Sequence, residues 1–268
     1  MYRNTFDVAK VTNELIEWIK DWYEKNGKGC NAVIGISGGK DSTICAALCV
    51  EALGKDRVIG VLMPNGIQAD IGDSIRVCKY LDIKYVTLNI ANAVEAELSE
   101  LVKMENDFGV QISEQTKINL PPRIRMATLY SVSQSMNGRV INTCNLSENV
   151  CSFSTLYGDH AGDVSPLDKL TVTEIKQVGH HLALPFDLVE KTPFDGLCGK
   201  SDEETFGFSY GTLDEFIRTG KCENKGIEKE ILNRYQRGKF KTEVVQIPHY
   251  EPNLPNWIKR TYENDGCV

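Results

Sequence analysis

Apolar residues follow two spacings along the first half of the chain, and each spacing predicts a different element. Val11, Leu15 and Trp18 recur at helical intervals, so residues 6–24 are predicted to form an amphipathic helix. The run at 32–36, Ala-Val-Ile-Gly-Ile, is short and continuously apolar, which is typical of a strand buried on both faces. A glycine-rich turn and another apolar segment follow it. This succession predicts a sheet that is covered by helices.

The same alternation continues as far as residue 145. Further strands are predicted at 57–63, 84–90 and 139–143, and further helices at 42–53, 71–81, 94–104 and 124–136. Strands that alternate with helices over short connections predict an α/β fold, a doubly wound parallel sheet in three α/β/α layers. Because no linker or internal repeat is visible, residues 1–268 are interpreted as one domain. Ligands of such sheets bind at the carboxyl ends of the strands.

Beyond residue 145 the pattern is less regular. Residues 146–170 and 190–210 are rich in glycine and polar residues and show little periodicity, which is typical of long functional loops. We expect both loops to act as lids that become ordered when ligands bind. Helices are predicted at 171–182, 213–217 and 227–235.

Composition narrows the class of protein. The chain has 30 Lys and Arg against 37 Asp and Glu, a net charge of −7, and 41% apolar residues, which excludes collagen-like, disordered and coiled-coil proteins. The acidic balance argues against general nucleic-acid binding, which needs a basic surface. The nine cysteines include no Cys-x-x-Cys pair, so free thiols in a reducing compartment are expected. No signal peptide or membrane helix is visible, and a cytoplasmic location is expected.

The strongest chemical signal is the loop Ser37-Gly38-Gly39-Lys40-Asp41-Ser42, between a predicted buried strand and a helix. Glycines let backbone N–H groups approach an anion, and the amino end of the helix adds partial positive charge. A carboxylate at an anion site indicates a bridging cation, so Asp41 is interpreted as a Mg²⁺ ligand. An ordinary capping turn is the alternative, but two glycines flanked by serines fit it poorly. The loop is not a Walker A motif, because Asp follows the lysine.

This loop resembles the SGGxDS loop of the ATP pyrophosphatase families, which holds the pyrophosphate of ATP. The motifs that follow resemble, in order and spacing, one of these families, the NAD synthetases, over nearly the whole chain. They are Leu120–Met126, Asn142–Glu148, Tyr157–Asp163, Pro166–Leu167, Pro193–Leu197, Ser201–Glu204 and Leu213–Asp214. We expect the ammonia-dependent form, since the chain has no length for the amidase domain of glutamine-using members.

The resemblance implies a two-step ligase reaction. The nicotinate carboxylate of deamido-NAD would attack the α-phosphorus of ATP, which gives an adenylate and pyrophosphate. Ammonia would then displace AMP to give NAD. Mg²⁺ would be the cofactor and ATP the co-substrate, since the first step develops negative charge that a metal and oriented N–H groups stabilise. The resemblance also implies a homodimer, with the dinucleotide site at the two-fold interface.

The resemblance further implies roles for residues at the ATP site. Asp41 and Glu148 would hold the metal, and Glu148 follows the fourth predicted strand, where a sheet of this kind binds ligands. Ordinary packing is the alternative for the apolar Met63 and the β-branched Thr143. The residues expected to contact ATP are Gly35, Ile36, Ser37, Gly38, Gly39, Lys40, Asp41, Ser42, Met63, Thr143 and Lys200.

A second group of residues is implied for the dinucleotide and for ammonia. Arg123, Asp163 and Lys241 would contact deamido-NAD, and Asp159 would hold the ammonium ion and accept its proton. A Gly-Asp turn is the alternative for the two acids. Arg125 cannot share a helix face with Arg123, so a structural role for one of the two is the alternative; Arg123 is favoured for the substrate, and a phosphate is the candidate ligand of Arg125.

Several positions depart from the family pattern. Better-known bacterial members carry Lys, Lys, Thr and His where this chain has Leu156, Val172, Phe194 and Phe240. We hypothesise that a lysine at another loop position replaces the lost charge; the candidates are Lys169, Lys191 and Lys200, with Lys200 favoured. Two other functions stay open: another adenylating enzyme with the same loop, such as a tRNA-modifying one, and a non-catalytic ATP-binding module.

Overall fold

A parallel four-stranded sheet organises the first half of the protein. The computed structural model describes residues 6–191, 201–244, 247–252, 254–255 and 257. The strands are β1 (Asn31–Gly35), β2 (Val58–Leu62), β3 (Lys84–Thr87) and β4 (Gly138–Val140). Their order in the sheet is β3-β2-β1-β4, and all pairs are parallel. The doubly wound arrangement predicted from the alternation is therefore confirmed.

Helices connect and cover these strands. They are α1 (Val8–Asn26), α2 (Lys40–Leu53), α3 (Ile71–Tyr80), α4 (Ala91–Phe108), α5 (Glu114–Ser135), α6 (Leu146–Val150), α7 (Val172–His181), α8 (Phe186–Val189), α9 (Asp202–Phe206), α10 (Tyr210–Thr219) and α11 (Lys225–Val244). No helix among the described residues has the length and apolar character needed to cross a membrane.

Alternate residues of β1 pack into two different cores, as the pleat of a strand requires. Ala32 and Ile34 belong to the larger cluster, which they share with apolar residues of α1, α2 and α7. Val33 belongs to a second cluster, which includes Val61 and is covered by residues of α4 and α5. Helices therefore lie on both faces of the sheet, which confirms the three-layer prediction.

Some predicted boundaries are wrong. The helix predicted at 124–136 begins at Glu114, because the Ser113 hydroxyl accepts a hydrogen bond from the Thr116 N–H and caps it. It continues through Pro121 and Pro122, which a sequence pattern interprets as a stop because proline lacks an N–H donor. The irregular stretches also contain two short helices, α6 and α9, each started by a capping box.

A buried polar network joins α6, α7 and α10. The Ser147 hydroxyl donates to Asp214 Oδ1 at 2.6 Å, and the Thr173 N–H donates to Asp214 Oδ2 at 2.7 Å. Arg218 donates to both oxygens of Glu174 at 2.8 and 2.7 Å, and both side chains are fully buried. Paired charges of this kind are costly to break once they are buried. The network fixes the helix that follows β4, and with it one side of the sheet's carboxyl edge.

The chain returns to this edge near its C-terminal end. Val164 forms a parallel bridge with Ile141, just beyond β4, and Ser165 forms one with His249. The Ser165 N–H donates to the Pro248 carbonyl at 2.8 Å. Residues 163–165 are therefore held between β4 and a segment that lies far away in sequence.

Candidate functional site

The loop from Ser37 to Ser42 connects β1 to α2 and is closed by its own hydroxyl groups. Ser37 Oγ and Ser42 Oγ lie 3.1 Å apart, and the Gly39 N–H donates to Ser37 Oγ at 3.2 Å. The loop lies at the carboxyl end of β1, where the alternation predicts a ligand site. Glycines, hydroxyl groups and a helix amino end together form a cradle suited to a phosphate.

Gly38 is the position at which this loop depends on glycine. Its φ of +79° lies in the left-handed region, and a Cβ added there would lie 2.9 Å from both Asp73 Cβ and the Ser74 backbone nitrogen. The amino end of α3 therefore contacts the loop directly. Only a residue without a side chain permits both the turn and this approach.

Lys40 does not extend into solvent. Its side chain is 2% exposed, and its Nζ lies 2.8 Å from Asp41 Oδ2 and 5.7 Å from the centre of the Tyr210 ring. Burial acts to lower the pKa of Lys40, but the Asp41 and Glu148 carboxylates outweigh it and raise the pKa. Lys40 is therefore a buried cation that balances neighbouring acids.

Asn145 brings the two predicted metal ligands into one place. Its side-chain amide donates to Asp41 Oδ1 at 3.2 Å, while its backbone N–H donates to Glu148 Oε2 at 3.1 Å. The second bond belongs to the capping box that starts α6. Burial raises the pKa of Glu148 well above its usual range, and the Asp41 carboxylate acts in the same direction. Both acids therefore lie at the carboxyl edge shared by β1 and β4, and their role as metal ligands stays a prediction.

Asp202 and Tyr210 complete the surroundings of Lys40. Asp202 begins α9, and it is only 4% exposed. The Tyr210 hydroxyl donates to Asp202 Oδ2 at 2.7 Å, and the Asp202 carboxylate helps to raise the pKa of Lys40. Sequence reasoning missed both residues, since nothing in their spacing links them to the loop at 37–42.

Asp159 lies in the loop 152–163, which runs along the same edge of the sheet. Its Oδ1 accepts a hydrogen bond from the Thr155 N–H at 2.6 Å, and its carbonyl accepts one from the Asn142 side chain at 2.9 Å. The side chain is open to solvent, but the protein around it raises the pKa of the carboxyl group above its usual value. Asp159 is thus an accessible carboxylate in a poorly solvated cleft.

The residues predicted to contact deamido-NAD all belong to or bind this loop. Asp163 accepts hydrogen bonds from the Val140 N–H at 2.7 Å and from the Tyr130 hydroxyl at 3.3 Å, so both of its oxygens have protein donors. Lys241 donates to the carbonyls of Ser152 and Ser154 at 3.0 and 2.7 Å. These contacts hold the loop, and the substrate roles of these residues stay predictions.

The remaining predicted residues are less closely tied to the loop at 37–42. Arg123 is exposed and donates to the Leu156 carbonyl at 3.3 Å. Met63 is buried after β2, with its Cε 3.2 Å from the position of a Cβ on Gly35. Thr143 is half-buried between β4 and α6. Lys200, which was predicted to contact ATP, lies outside the described residues.

Two other lysines were candidates to replace the missing charge. Lys191 donates to Asp73 Oδ2 at 2.6 Å and to Asp70 Oδ2 at 2.9 Å, beside the point where α3 meets Gly38. Lys169 pairs with Asp168 at 2.9 Å. Lys191 therefore lies nearer to the phosphate cradle than the sequence indicated, with Asp73 between them.

Comparison with known proteins identifies the family. The model of the NAD synthase family matches residues 11–249. The chain belongs to the NAD synthase family. It is 31% identical over 256 residues to the NH(3)-dependent NAD(+) synthetase of Thermococcus sibiricus, covering 94% of this chain and 97% of that protein. It is 34% identical over 259 residues to that of Methanocaldococcus jannaschii, covering 92% and 88%.

Solved structures of this family share the fold. An NMN synthetase from Francisella tularensis superimposes with a TM-score of 0.80 at 28% identity, over 92% of this chain and 99% of that chain. An NH3-dependent NAD synthetase from Campylobacter jejuni, solved in complex with the nitrate ion, gives a TM-score of 0.71 at 27% identity, over 92% and 100%. The family's α/β fold therefore extends over nearly the whole chain.

The close approach at Gly38 yields a first prediction. Gly38→Ala should lower the free energy of unfolding more than Gly66→Ala, because both glycines have a φ of +79° but only Gly38 has neighbours within 4 Å. We expect a loss of about 1–2 kcal/mol for Gly66→Ala from the left-handed backbone. A further loss of about 1–3 kcal/mol is expected for Gly38→Ala from overpacking. Urea unfolding of the two variants measures the difference, and equal losses would contradict the contact between α3 and the loop.

Proposed function

We propose that this protein converts deamido-NAD into NAD with ATP and ammonia. In the first step a nicotinate carboxylate oxygen bonds to the α-phosphorus of ATP, and the bond to pyrophosphate breaks. In the second step ammonia attacks the carboxyl carbon of the adenylate, loses a proton, and AMP leaves with the electron pair of the broken C–O bond. The observation that supports this most directly is the phosphate cradle at 37–42, placed beside two convergent acids and across the edge from Asp159.

Different residues would bind different parts of ATP. The N–H groups and hydroxyls of the cradle would bind the phosphates, since they converge at the amino end of α2. Met63, beside Gly35 after β2, would line the adenine pocket, and Thr143 would contact the nucleotide from the β4 side. Lys40 would act differently from our sequence-based expectation, because its ammonium group is buried and paired with the Asp41 carboxylate. Its contribution would be to keep the buried acids charged and in place.

Asp159 has the properties that a proton acceptor needs in the second step, the attack of ammonia on the adenylate. Its carboxylate is accessible, and the Thr155 N–H orients one of its oxygens. A raised pKa makes this carboxylate a stronger proton acceptor than an ordinary aspartate. It would hold the ammonium ion and accept the proton released on attack.

The chemistry of the donors supports a Mg²⁺ ion at Asp41 and Glu148. Carboxylate oxygens are the ligands this ion prefers, and it commonly uses one or two of them together with substrate phosphates. No group of three or more His, Cys, Asp or Glu side chains that could hold a metal occurs in the part of the chain described by the structure. A two-carboxylate site completed by ATP therefore fits better than a preformed metal cage. Bound there, Mg²⁺ would neutralise charge on the phosphates.

One structural likeness favours a second candidate substrate. The TM-score of 0.80 with a protein named NMN synthetase exceeds the 0.71 obtained with the NAD synthetase from Campylobacter jejuni. The same chemistry on nicotinate mononucleotide would give NMN. The two candidates share every catalytic step and differ only in the part of the substrate beyond the nicotinate ribose phosphate.

The reaction is tested by supplying ATP, Mg²⁺ and an equimolar mixture of deamido-NAD and nicotinate mononucleotide, with and without ammonium chloride. We expect NAD and AMP to form together, and only when ammonium is present. The kcat/KM for deamido-NAD should exceed that for the mononucleotide by at least roughly tenfold. A majority of NMN among the products would instead establish the second candidate. AMP without either amide would contradict the proposed acceptor.

The metal proposal predicts direct binding of a divalent cation in the presence of ATP. With Mn²⁺ as the probe and a non-hydrolysable ATP analogue present, Glu148→Gln should weaken Mn²⁺ binding at least roughly tenfold, because it removes one of the two charged ligands. Glu24→Gln is the matched control, since Glu24 is an exposed helix acid paired only with Lys28 at 3.6 Å among the described contacts. Electron paramagnetic resonance of free Mn²⁺ measures both. Equal affinity in the two variants would exclude Glu148 as a ligand.

We also propose that the protein is a homodimer formed through the face of β3, α4 and α5. All four residues of the edge strand β3 are exposed, and Val94 is the one buried residue of α4. Phe108 is 76% exposed, and further apolar residues of these elements are at least partly open to solvent: Val86, Val102, Val110 and Ile118. Contiguous apolar residues of this kind mark interaction surfaces.

Sedimentation equilibrium tests the assembly. The wild-type protein should sediment as a dimer, and Phe108→Asp should shift it towards monomer, because it buries a charge at the centre of the interface. Phe186→Asp is the control, since Phe186 is 71% exposed on α8 and lies off the proposed face. A wild-type protein that stays monomeric, or a Phe108→Asp variant that stays dimeric, would contradict the proposed interface.

A further inference from the structure

Arg125 has a charged side chain whose hydrogen-bonding capacity is mostly unused. It lies on α5 and is half-buried, and its Nε donates to the Met63 carbonyl at 3.0 Å. Among the described residues no other acceptor is hydrogen-bonded to it, and no carboxylate forms an ion pair with it. A guanidinium group carries five N–H donors. Its two terminal amino groups therefore have no hydrogen-bond partner among the described residues.

The surroundings of Arg125 make this lack of a partner costly. Burial lowers its pKa, and the one charge that acts in the opposite direction is the nearby Asp159 carboxylate. Asp159 Oδ1 is already bonded to the Thr155 N–H, so it does not close a bidentate pair with the arginine. A half-buried cation without a bonded anion is destabilising, unless a ligand supplies the anion.

The position of the Arg125 head group is set by the edge of the sheet. Met63, whose carbonyl fixes Nε, directly follows β2, and its side chain lies beside Gly35 at the start of the phosphate cradle. The Asp159 carboxylate is near enough to raise the pKa of Arg125. The guanidinium group is thus anchored at one nitrogen beside the proposed ATP site, and it feels the charge of the acid proposed to hold the ammonium ion. A planar fork held in this way suits two oxygens of a phosphate or carboxylate.

Arg123 provides a contrast two residues earlier. Its Nε donates to the Leu156 carbonyl, and its side chain is exposed rather than half-buried. Residues at this spacing point to different sides of a helix, so the two arginines cannot bind one group from the same side. The half-buried member, Arg125, is the one whose charge is desolvated and lacks a bonded anion.

We propose that Arg125 binds an anionic oxygen of the reactants where the two substrates meet, and holds it during adenylation. The oxygen belongs to the α-phosphate of ATP or to the nicotinate carboxylate, which are the two anions joined in this step. This inference rests on the proposed function for its reaction, but the charge, burial and orientation of Arg125 support it independently.

The test compares Arg125→Gln, Arg125→Lys and the exposed control Arg237→Gln. Arg237 is 71% exposed on α11, so its replacement removes the same charge without touching the site. Arg125→Gln should lower kcat/KM about 100-fold, the usual effect of losing one donor to a developing oxyanion. Arg125→Lys should give an intermediate loss, because it keeps the charge without the planar fork. Unfolding by urea should be similar in all three variants.

Equilibrium binding, measured separately for a non-hydrolysable ATP analogue and for deamido-NAD, identifies the oxygen. Weaker binding of the analogue alone assigns Arg125 to the phosphate, and weaker binding of deamido-NAD alone assigns it to the carboxylate. The inference is overturned if Arg125→Gln stays within threefold of Arg237→Gln in kcat/KM. It is also overturned if the glutamine and lysine variants lose equal activity, bind both ligands normally and unfold at lower urea concentration. The binding measurements do not require turnover, so they decide the matter even if the wild-type protein makes no NAD.

Discussion

The candidate site depends on one buried charge. Lys40 sits among Asp41, Glu148 and Asp202 with almost no access to water, and each acid comes from a different part of the chain. An ammonium ion in such a place is stable only while acids face it, and those acids are stable there only while it stays. The buried charges therefore make three elements depend on one another: the loop after β1, the short helix α6 after β4, and α9. A divalent cation that binds Asp41 must share this carboxylate with Lys40.

Parallel topology explains why distant residues meet here. Strands β1 and β4 are neighbours in the sheet, so the loops that follow them open at the same edge. Asn145 then joins the two loops with one side chain and one backbone group. The 152–163 loop reaches the same edge because Asp163 bonds to the Val140 N–H. The acids and the phosphate cradle thus owe their proximity to strand order, and local hydrogen bonds only refine it.

Much of this arrangement could be predicted from the sequence. The rest could not, and each exception has a physical reason. The parallel, doubly wound sheet follows from periodicity, and the rule for parallel sheets places Asp41 and Glu148 at its carboxyl edge. The start of α5 was not predicted, because Pro121 normally signals the end of a helix whereas Ser113 caps this one earlier. The direction of Lys40 was also unpredictable, since a loop sequence does not say which way a side chain turns. The pairing of Tyr210 with acids depends on tertiary packing alone.

The bridge between Ser165 and His249 has a consequence for how the protein is made. A chain that emerges from the ribosome with its N-terminus first can assemble β1 to β4 and their helices early, because these contacts lie within the first half of the sequence. The segment that carries Asp159 cannot gain the backbone contact from Pro248 until the last part of the chain has been released. Folding of the sheet and maturation of the site are therefore separated in time. A nascent chain would form its sheet before it could complete the cleft in which adenylate and ammonia meet.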